Sequence, residues 1–225
     1  MGDSITEGKI GINYVDMIKR RFPDLLCHNK GHGGDTLREV SFRLLKLLKK
    51  GKVNYSVIVI EAGHNDIILP LIKSRWPIWS VNWVTPVSQI GIVLDDMLSS
   101  IKSLSNAEII LTTLSCIGEI FDSQLNQQRR LINEQIKLIG YRYETHIADV
   151  SSAFDDVIKK SNSSDYIIDN PLNLVIDYFR SKKSIWADKI SIKRNLRLTI
   201  DGGHLNSKGA EIYYQEISKV FDELL

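Results

Sequence analysis

The sequence predicts one α/β domain in which helices are layered around a parallel sheet. Residues 56–62 and 107–113 are short, apolar runs rich in β-branched residues, and each leads into a glycine or a polar loop. Continuous apolar character indicates strands that are buried on both faces, as in a parallel sheet. Longer segments with helical spacing lie between these runs, and such alternation is typical of α/β proteins. Weaker strands are expected at 25–29 and 145–150.

Amphipathic segments predict the helices. The first segment follows Gly11 and stops at Pro23, and the second spaces its apolar residues by three or four positions until Gly51. These spacings place the apolar side chains on one face of each helix. The predicted helices cover residues 12–22, 36–50, 89–104 and 123–143, and an apolar stripe between residues 212 and 224 predicts a C-terminal helix.

Two stretches, 67–88 and 161–200, fit this alternation poorly. No repeat or linker divides the chain, so we interpret both as insertions in a single domain of residues 1–225, where substrate contacts are often placed. A helix would place Trp76, Trp79 and Trp83 on one face, because their spacings are three and four. A substrate-lining wall and a hydrophobic patch over the core both account for this spacing.

Composition excludes several classes of protein. The 29 basic and 27 acidic residues leave a net charge of +2, which gives no case for nucleic acid or an anionic membrane as partner. No apolar run reaches the length of about 20 residues that a membrane span needs. Cys27 and Cys116 form neither a disulfide framework nor a metal cluster, and the histidines lack metal-ligand spacing. We expect no metal and no cofactor.

Candidate catalytic residues lie near the two ends of the chain. Gly2-Asp3-Ser4 is a small turn before a polar helix start, and it can present the serine hydroxyl at a sheet edge. Serine is a poor nucleophile unless a neighbouring base takes its proton. His204 is a candidate for that base, because histidine titrates near neutrality. Asp201, separated from His204 by two glycines, can turn back to bind the second ring nitrogen.

Two further segments supply candidate donors for an oxyanion. Residues 29–36 form a glycine-rich turn that leads into a helix, and its backbone N–H groups favour negative charge. Asn65 follows the strongest strand, and its side-chain amide can donate another hydrogen bond. His32 and His64 are expected to line the same site. The flanking residues expected to face solvent are Lys30 and Asp35.

In order and spacing, these motifs resemble the SGNH superfamily of GDSL-type esterases and lipases over nearly the whole chain. Gly2-Asp3-Ser4 is similar to the nucleophile block, and Gly34 is similar to the oxyanion glycine. Gly63-His64-Asn65-Asp66 is similar to the Gly-x-Asn-Asp block, and Asp201-x-x-His204 to the acid–base block. The chain contains no Gly-x-Ser-x-Gly elbow, which argues against the other large serine-esterase fold.

The resemblance implies a flavodoxin-like, three-layer α/β/α sandwich and metal-free hydrolysis of small-molecule esters through an acyl-enzyme. Ser4 would be the nucleophile, His204 the general base and then acid, and Asp201 the residue that orients it. The oxyanion hole would comprise the N–H groups of Ser4 and Gly34 with the side chain of Asn65. Family members carry an apolar strand directly before Gly-Asp-Ser, so the first strand is expected to be missing.

A second interpretation keeps the fold and the motifs without catalysis, as a binding protein or an inactive, N-terminally truncated homologue. It is motivated by the missing strand, whose loss would leave backbone groups unpaired. Acetylated sugars, short acyl esters, thioesters and lysophospholipids all stay open as substrates. The sequence assigns no oligomeric state. Read from Met1 it favours the cytoplasm, and an earlier start would leave room for a signal peptide.

Overall fold

A parallel β-sheet lies at the centre of the computed structural model, which describes residues 1–75, 83–168, 171–181 and 183–225. Within these residues the sheet has three strands in the order β1-β2-β3. Val57 aligns with Glu108, and Ile110 with His146. Three of the four predicted strands are thus confirmed. The strands are β1 Val57–Ile60, β2 Glu108–Thr112 and β3 His146–Ala148.

Ten α-helices surround the sheet in the described part of the chain. Five of them, α2, α3, α5, α6 and α10, match the amphipathic segments predicted from the sequence. In chain order the helices are α1 Ser4–Glu7, α2 Tyr14–Arg21, α3 Leu37–Lys49, α4 His64–Arg75, α5 Ile90–Leu104, α6 Gln124–Arg142, α7 Val150–Ile158, α8 Pro171–Arg180, α9 Ser184–Lys193 and α10 Ser207–Leu224.

The helices cover both faces of the sheet. Side chains alternate along β1, as the strand pleat requires. Ile58 and Ile60 belong to one core with α3, α4, α5 and α6, whereas Val57 and Val59 pack against a second core with α2, α7 and α10. A sheet buried between two helix layers is the predicted α/β/α arrangement.

Met1 and Gly2 occupy the sheet edge beside β1. The backbone nitrogen of Met1 donates to the Val59 carbonyl at 2.8 Å, and the Met1 carbonyl accepts the Glu61 N–H at 3.0 Å. Gly2 also forms parallel bridges with Glu61 and Gly31. Next to this pairing, a groove of about 390 Å³ follows the outer edge of β1, between α2, α3 and α10. The place expected for a first strand therefore holds two paired residues, which fix the turn at Ser4 to the sheet.

Some local predictions differ from the structure. Residues 25–29 form no strand; Leu25 and Cys27 pack against the core with α2, α7 and α10, whereas Leu26 is 85% exposed. The stretch 67–88 begins inside α4, and this helix contains Pro70. Proline usually breaks a helix, but here the helix continues through it. The stretch 161–200, interpreted as an insertion, contains α8 and α9, and its role as an insertion stays a prediction. Trp76 and Trp79 lie outside the described residues.

No helix in the described ranges combines the length and the apolar character that are needed to cross a bilayer.

Candidate active site

Ser4 begins the short helix α1, directly after the sheet edge. The Asp3 side chain caps this helix by accepting the Ile5 N–H at 2.8 Å, and Gly8 ends it in the left-handed conformation with φ +66°. A Cβ at Gly2 would lie 2.7 Å from the Glu61 carbonyl oxygen, so only glycine fits there. Gly2 thus lets the backbone approach the Glu61 carbonyl closely, Asp3 caps the helix, and Ser4 presents a half-buried hydroxyl.

His204 lies within hydrogen-bond distance of Ser4 and of Asp201. Its Nε2 is 3.0 Å from Ser4 Oγ, and its Nδ1 is 2.7 Å from Asp201 Oδ2. The other oxygen of Asp201 accepts the N–H groups of Gly203 and His204 at 3.0 and 2.8 Å. These backbone contacts fix the carboxylate, and the carboxylate in turn holds the imidazole with Nε2 towards Ser4.

Burial and mutual attraction shift the pKa values of this pair in opposite directions. Burial disfavours charged His204, but the charge of Asp201 and its hydrogen bond outweigh burial, so the pKa of His204 lies above its ordinary 6.5. Burial also disfavours charged Asp201, yet the charge and hydrogen bonds of His204 hold the pKa of Asp201 below its ordinary value. The pair therefore combines a carboxylate with a strengthened base beside a hydroxyl group.

The loop that carries Asp201 is held by Glu119, a residue that no sequence motif marks. This side chain is buried, and its two oxygens accept five hydrogen bonds of 2.6 to 2.9 Å. Because four of these donors belong to residues 197–199, the loop is fixed to the chain segment that follows β2. The donors are the Ser163 hydroxyl, the N–H groups of Arg197, Leu198 and Thr199, and the Thr199 hydroxyl.

The candidate oxyanion donors lie around Ser4. A Cβ on Gly33 would lie 3.8 Å from the Ser4 Cβ, which places the glycine turn next to the nucleophile position. Among the described residues, no hydrogen bond occupies the N–H of Ser4 or of Gly34. Asn65 Nδ2, in contrast, donates to the Asp35 carbonyl at 2.9 Å and to Asp3 Oδ2 at 3.4 Å. The 3.4 Å contact with Asp3 is the weaker of the two. An oxyanion at Ser4 would be a stronger acceptor and would compete with Asp3 for this amide proton.

Asp35 is buried, which contradicts the expectation that it faces solvent. Arg43 Nε donates to one of its oxygens, and His32 Nδ1 lies 2.6 Å from the other. Arg43 also donates to the carbonyls of Gly2 and Lys30, both at 2.9 Å. One arginine on α3 thus ties the glycine turn to the turn that carries Ser4. Lys30 is exposed, as expected.

A buried polar network lies beneath Ser4. Glu61, just after β1, accepts the Asp3 N–H at 3.4 Å and the Thr6 hydroxyl at 2.9 Å, and its other oxygen is 3.0 Å from His64 Nδ1. Burial, reinforced by the charge of Glu61, raises the pKa of Asp3 well above its usual range. Burial acts on Glu61 as well, but the hydrogen bond and charge of His64 outweigh it and lower the pKa of Glu61. The pKa values of the two acids are therefore shifted in opposite directions.

Asp3, Glu61 and His64 are also the one group of three potential metal ligands in the described ranges. Their ligand atoms lie within 4.8 Å of one another, and all three side chains are buried. The protein already supplies hydrogen-bond partners to each of them, including Ser115 Oγ at 3.1 Å from His64 Nε2. The cluster therefore fits a structural network that joins the Ser4 turn to the Asn65 turn.

A pocket of about 350 Å³ opens beside Ser4 and His204. His64 contributes to its lining, as expected. His32 and Trp83 are absent from the described lining: His32 contacts Asp35, and the Trp83 ring packs on Phe42 with 5.7 Å between ring centroids. Aliphatic side chains supply much of the wall. These are Ile5, Ile10, Ile68, Leu69, Ile72, Ile167 and Ile168.

Comparison with protein families gives one match over most of the chain. A model of the GDSL-like lipase/acylhydrolase family matches residues 1–212 of the 225 residues. No curated protein sequence matches the chain.

Several solved structures share the fold. LAE5, an alpha/beta hydrolase enzyme from the metagenome of Lake Arreo in Spain, is 17% identical with a TM-score of 0.68, covering 98% of this chain and 92% of its own. A member of the lipolytic protein G-D-S-L family from Veillonella parvula DSM 2008 is 14% identical with a TM-score of 0.63, covering 98% and 95%. Axe2, an acetylxylan esterase from Geobacillus stearothermophilus, is 18% identical with a TM-score of 0.65, covering 97% and 90%. At these identities the likeness establishes the fold.

Proposed function

Because the chain belongs to the GDSL-like lipase/acylhydrolase family and is therefore a carboxylic ester hydrolase, we propose that it cleaves its esters by two acyl transfers through Ser4. One observation carries the proposal: His204 contacts both Ser4 Oγ, at 3.0 Å, and Asp201, at 2.7 Å. A nucleophile, a base and an orienting carboxylate in series are the groups that acyl transfer requires. The family assignment also favours catalysis over the binding-only interpretation.

In the first transfer, Ser4 Oγ attacks the ester carbonyl carbon while His204 Nε2 takes the hydroxyl proton. The carbonyl oxygen becomes an oxyanion, which accepts hydrogen bonds from the N–H groups of Ser4 and Gly34 and from the Asn65 amide. His204 then gives its proton to the departing alkoxide. The alcohol leaves, and the acyl group stays on Ser4. Asp201 stabilises the imidazolium between these two proton transfers.

In the second transfer, water takes the place of the alcohol. His204 accepts a proton from the water as its oxygen attacks the acyl carbon, and the oxyanion forms again in the same hole. Its collapse breaks the bond to Ser4, and the proton on His204 returns to Ser4 Oγ. The products are one carboxylic acid and one alcohol, and all the proton transfers use side chains of this chain.

Replacing the nucleophile tests this mechanism. Ser4→Ala removes the attacking oxygen, so we expect hydrolysis of p-nitrophenyl butyrate to fall by at least roughly 10³-fold, as for other serine nucleophiles. The matched control is Ser103→Ala, which removes an exposed hydroxyl on α5 and should leave the rate unchanged. Circular dichroism of both variants checks that the fold is retained.

The covalent intermediate has its own test. A fluorophosphonate should label the wild-type protein and the Ser103→Ala variant on Ser4, and it should not label Ser4→Ala. A folded Ser4→Ala variant with more than a tenth of the wild-type rate, or with undiminished labelling, would rule out Ser4 as the nucleophile.

A further inference from the structure

We propose that the pocket beside Ser4 binds an aliphatic acyl chain, so that medium-chain esters are better substrates than acetyl esters. The inference rests on the proposed function, since it takes Ser4 as the atom that carries the acyl group. The observation behind it is the wall of seven aliphatic side chains in a pocket of about 350 Å³.

The size of the pocket exceeds what an acetyl group fills. Its volume lies within the range of about 300 to 1,000 Å³ that is usual for small-molecule sites. A methylene group occupies roughly the 30 Å³ of a water molecule, so the cavity has room for a chain of about six carbons together with the ester. An acetyl group alone would leave most of the aliphatic wall in contact with water.

The aliphatic wall begins next to the catalytic loop. A Cβ on Gly203 would lie 3.9 Å from Ile68 Cδ1, and a Cβ on Gly202 would lie 3.3 Å from Ile167 Cγ1. These two glycines directly precede His204 in the chain. Leu69 and Ile72, one and four residues beyond Ile68 on α4, continue the wall and are buried. The aliphatic wall therefore starts at the glycines of the catalytic loop and continues along α4, in the same pocket as Ser4.

The charged lining residues are already paired within the protein. Lys9 Nζ lies 2.5 Å from Glu7 Oε1, and Asp3 and His64 belong to the buried network with Glu61. Recognition of a sugar needs several hydrogen-bonding groups in fixed positions, whereas isoleucine and leucine side chains offer none. This chemistry favours an aliphatic ester over an acetylated sugar.

The acyl part of the ester, and not the alcohol part, is assigned to the pocket. The alcohol leaves after the first transfer, whereas the acyl group stays on Ser4 until water releases it. Buried apolar side chains such as Leu69, Ile72 and Ile168 suit the acyl group, which stays in the site longer than the alcohol. Each methylene moved from water into such a wall favours binding by about fourfold.

A chain-length series on the wild-type protein tests the inference. With p-nitrophenyl acetate, butyrate, hexanoate and octanoate the leaving group is constant, so kcat/KM reports the acyl chain alone. We expect kcat/KM to rise by at least about tenfold from acetate to hexanoate, which is a fraction of the full transfer effect. Hexyl acetate should be a poorer substrate than ethyl hexanoate. Equal or better hydrolysis of the acetate, or a preference that follows the alcohol chain, overturns the inference and leaves the esterase mechanism intact.

A larger side chain in the wall should shorten the preferred acyl chain. In Ile68→Phe the added ring fills part of the pocket, so the hexanoate-to-acetate ratio of kcat/KM should fall by about tenfold. Ile92→Phe, at a 63% exposed position on α5, is the matched control and should keep the wild-type ratio. If Ile68→Phe does not fold, Ile10→Phe fills the same pocket and takes its place. An unchanged ratio in the folded pocket variant counts against the inference.

Binding separates this inference from the proposed function. If the folded wild-type protein cleaves none of the esters, the mechanism through Ser4 fails, and the pocket is judged by titrating octanoate and acetate into Ser4→Ala with calorimetry. Octanoate binding at least tenfold tighter than acetate binding supports an acyl pocket. Equal affinities, or no octanoate binding, overturn it.

Discussion

At the scale of single residues, His204 meets two opposing demands. Asp201 stabilises its charged form, whereas Ser4 needs a neutral ring that can accept a proton. Because the pKa of His204 lies above 6.5, a smaller fraction of the free protein carries a neutral base near pH 6.5. The base that is present is correspondingly stronger. The balance between availability and strength sets the pH range in which the site works.

A pH profile of kcat/KM measures this balance. The rate should fall on the acidic side as His204 becomes protonated, with an apparent pKa above 6.5, because kcat/KM reports ionisation of the free protein. The same shift affects stability: the His204–Asp201 attraction contributes fully between the ordinary pKa values of aspartate and histidine, 3.8 and 6.5, and its contribution is lost as the pH rises through the raised pKa of His204. An acidic limb centred at or below pH 6.5 would contradict this assignment.

Asp201→Asn provides the matched control for that profile. The neutral amide no longer stabilises the imidazolium, so burial is opposed only by the charges of Asp177 and Glu7, and the acidic limb should move to lower pH. The rate at neutral pH should fall by roughly 10⁴-fold, as for the same change in serine proteases. A limb that stays in place would assign the titration to another group.

The sequence predicted some residues of the site much better than others. Ser4, Asp201 and His204 stand in short motifs, and the structure brings them into contact. The expectation for Asp35 was wrong because its carboxylate is buried in a contact with Arg43, which lies eight residues further along, on α3. Glu61 carried a usable signal, an acid at the end of an apolar strand. Glu119 carried none, because its backbone donors lie 78 to 80 residues further along the chain.

At the scale of elements, the site depends on a loop that contains no helix or strand. Residues 197–203 are held by contacts within their own turn, such as the Thr199–Leu205 bridge and the N–H groups directed at Asp201, and by the donors directed at Glu119. The Glu119 carboxylate accepts hydrogen bonds from backbone N–H groups that neighbouring strands would accept in a sheet. The Glu119 contacts therefore help to position Asp201 and His204.

Glu119→Gln tests this positioning role. The amide turns one accepting oxygen into a donor that faces backbone N–H groups, so at least one hydrogen bond is lost and its N–H is left unpaired. We expect a loss of about 3 kcal/mol in the free energy of unfolding by urea, and a fall in kcat of roughly 10²-fold, as small displacements of catalytic groups cause. KM should change little, because Glu119 lies outside the described pocket lining.

Glu134→Gln is the control for this substitution, since Glu134 is exposed on α6. Its stability should stay within about 0.5 kcal/mol of the wild type. If Glu119→Gln lost stability but kept its kcat, Glu119 would stabilise the fold without positioning the site.

Helices and strands differed in how well the sequence predicted them. β1 and β2 were predicted because they are buried on both faces and so are apolar at consecutive positions. The helix α4 was missed because it begins at His64, right after the strand loop, and because Pro70 is a usual helix breaker. Asp66 in its first turn accepts the N–H groups of Leu37 and Thr85, and these distant partners leave no pattern in the local sequence.

At the scale of the whole molecule, the sheet brings both ends of the chain to one place. The turn at Ser4 is fixed by the pairing of Met1 and Gly2 with β1, and the loop at His204 is fixed by the segment after β2. The order of motifs in the sequence predicted a shared site. It did not predict the network of Asp3, Glu61 and His64 that joins the Ser4 turn to the Asn65 turn from below, since that network exists only in the assembled sheet.

The hydrogen bond between Ser4 and His204 closes a loop of 200 residues. Contacts of such long sequence separation form late in folding, because the entropy of the intervening chain opposes them until other contacts have shortened it. Enzyme activity should therefore mark the last stage of refolding. After dilution from urea, we expect helical circular dichroism to recover before esterase activity, with the delay measured by stopped-flow and double-jump assays. Recovery of both signals at one rate would mean that the two ends meet in the same cooperative step that forms the helices.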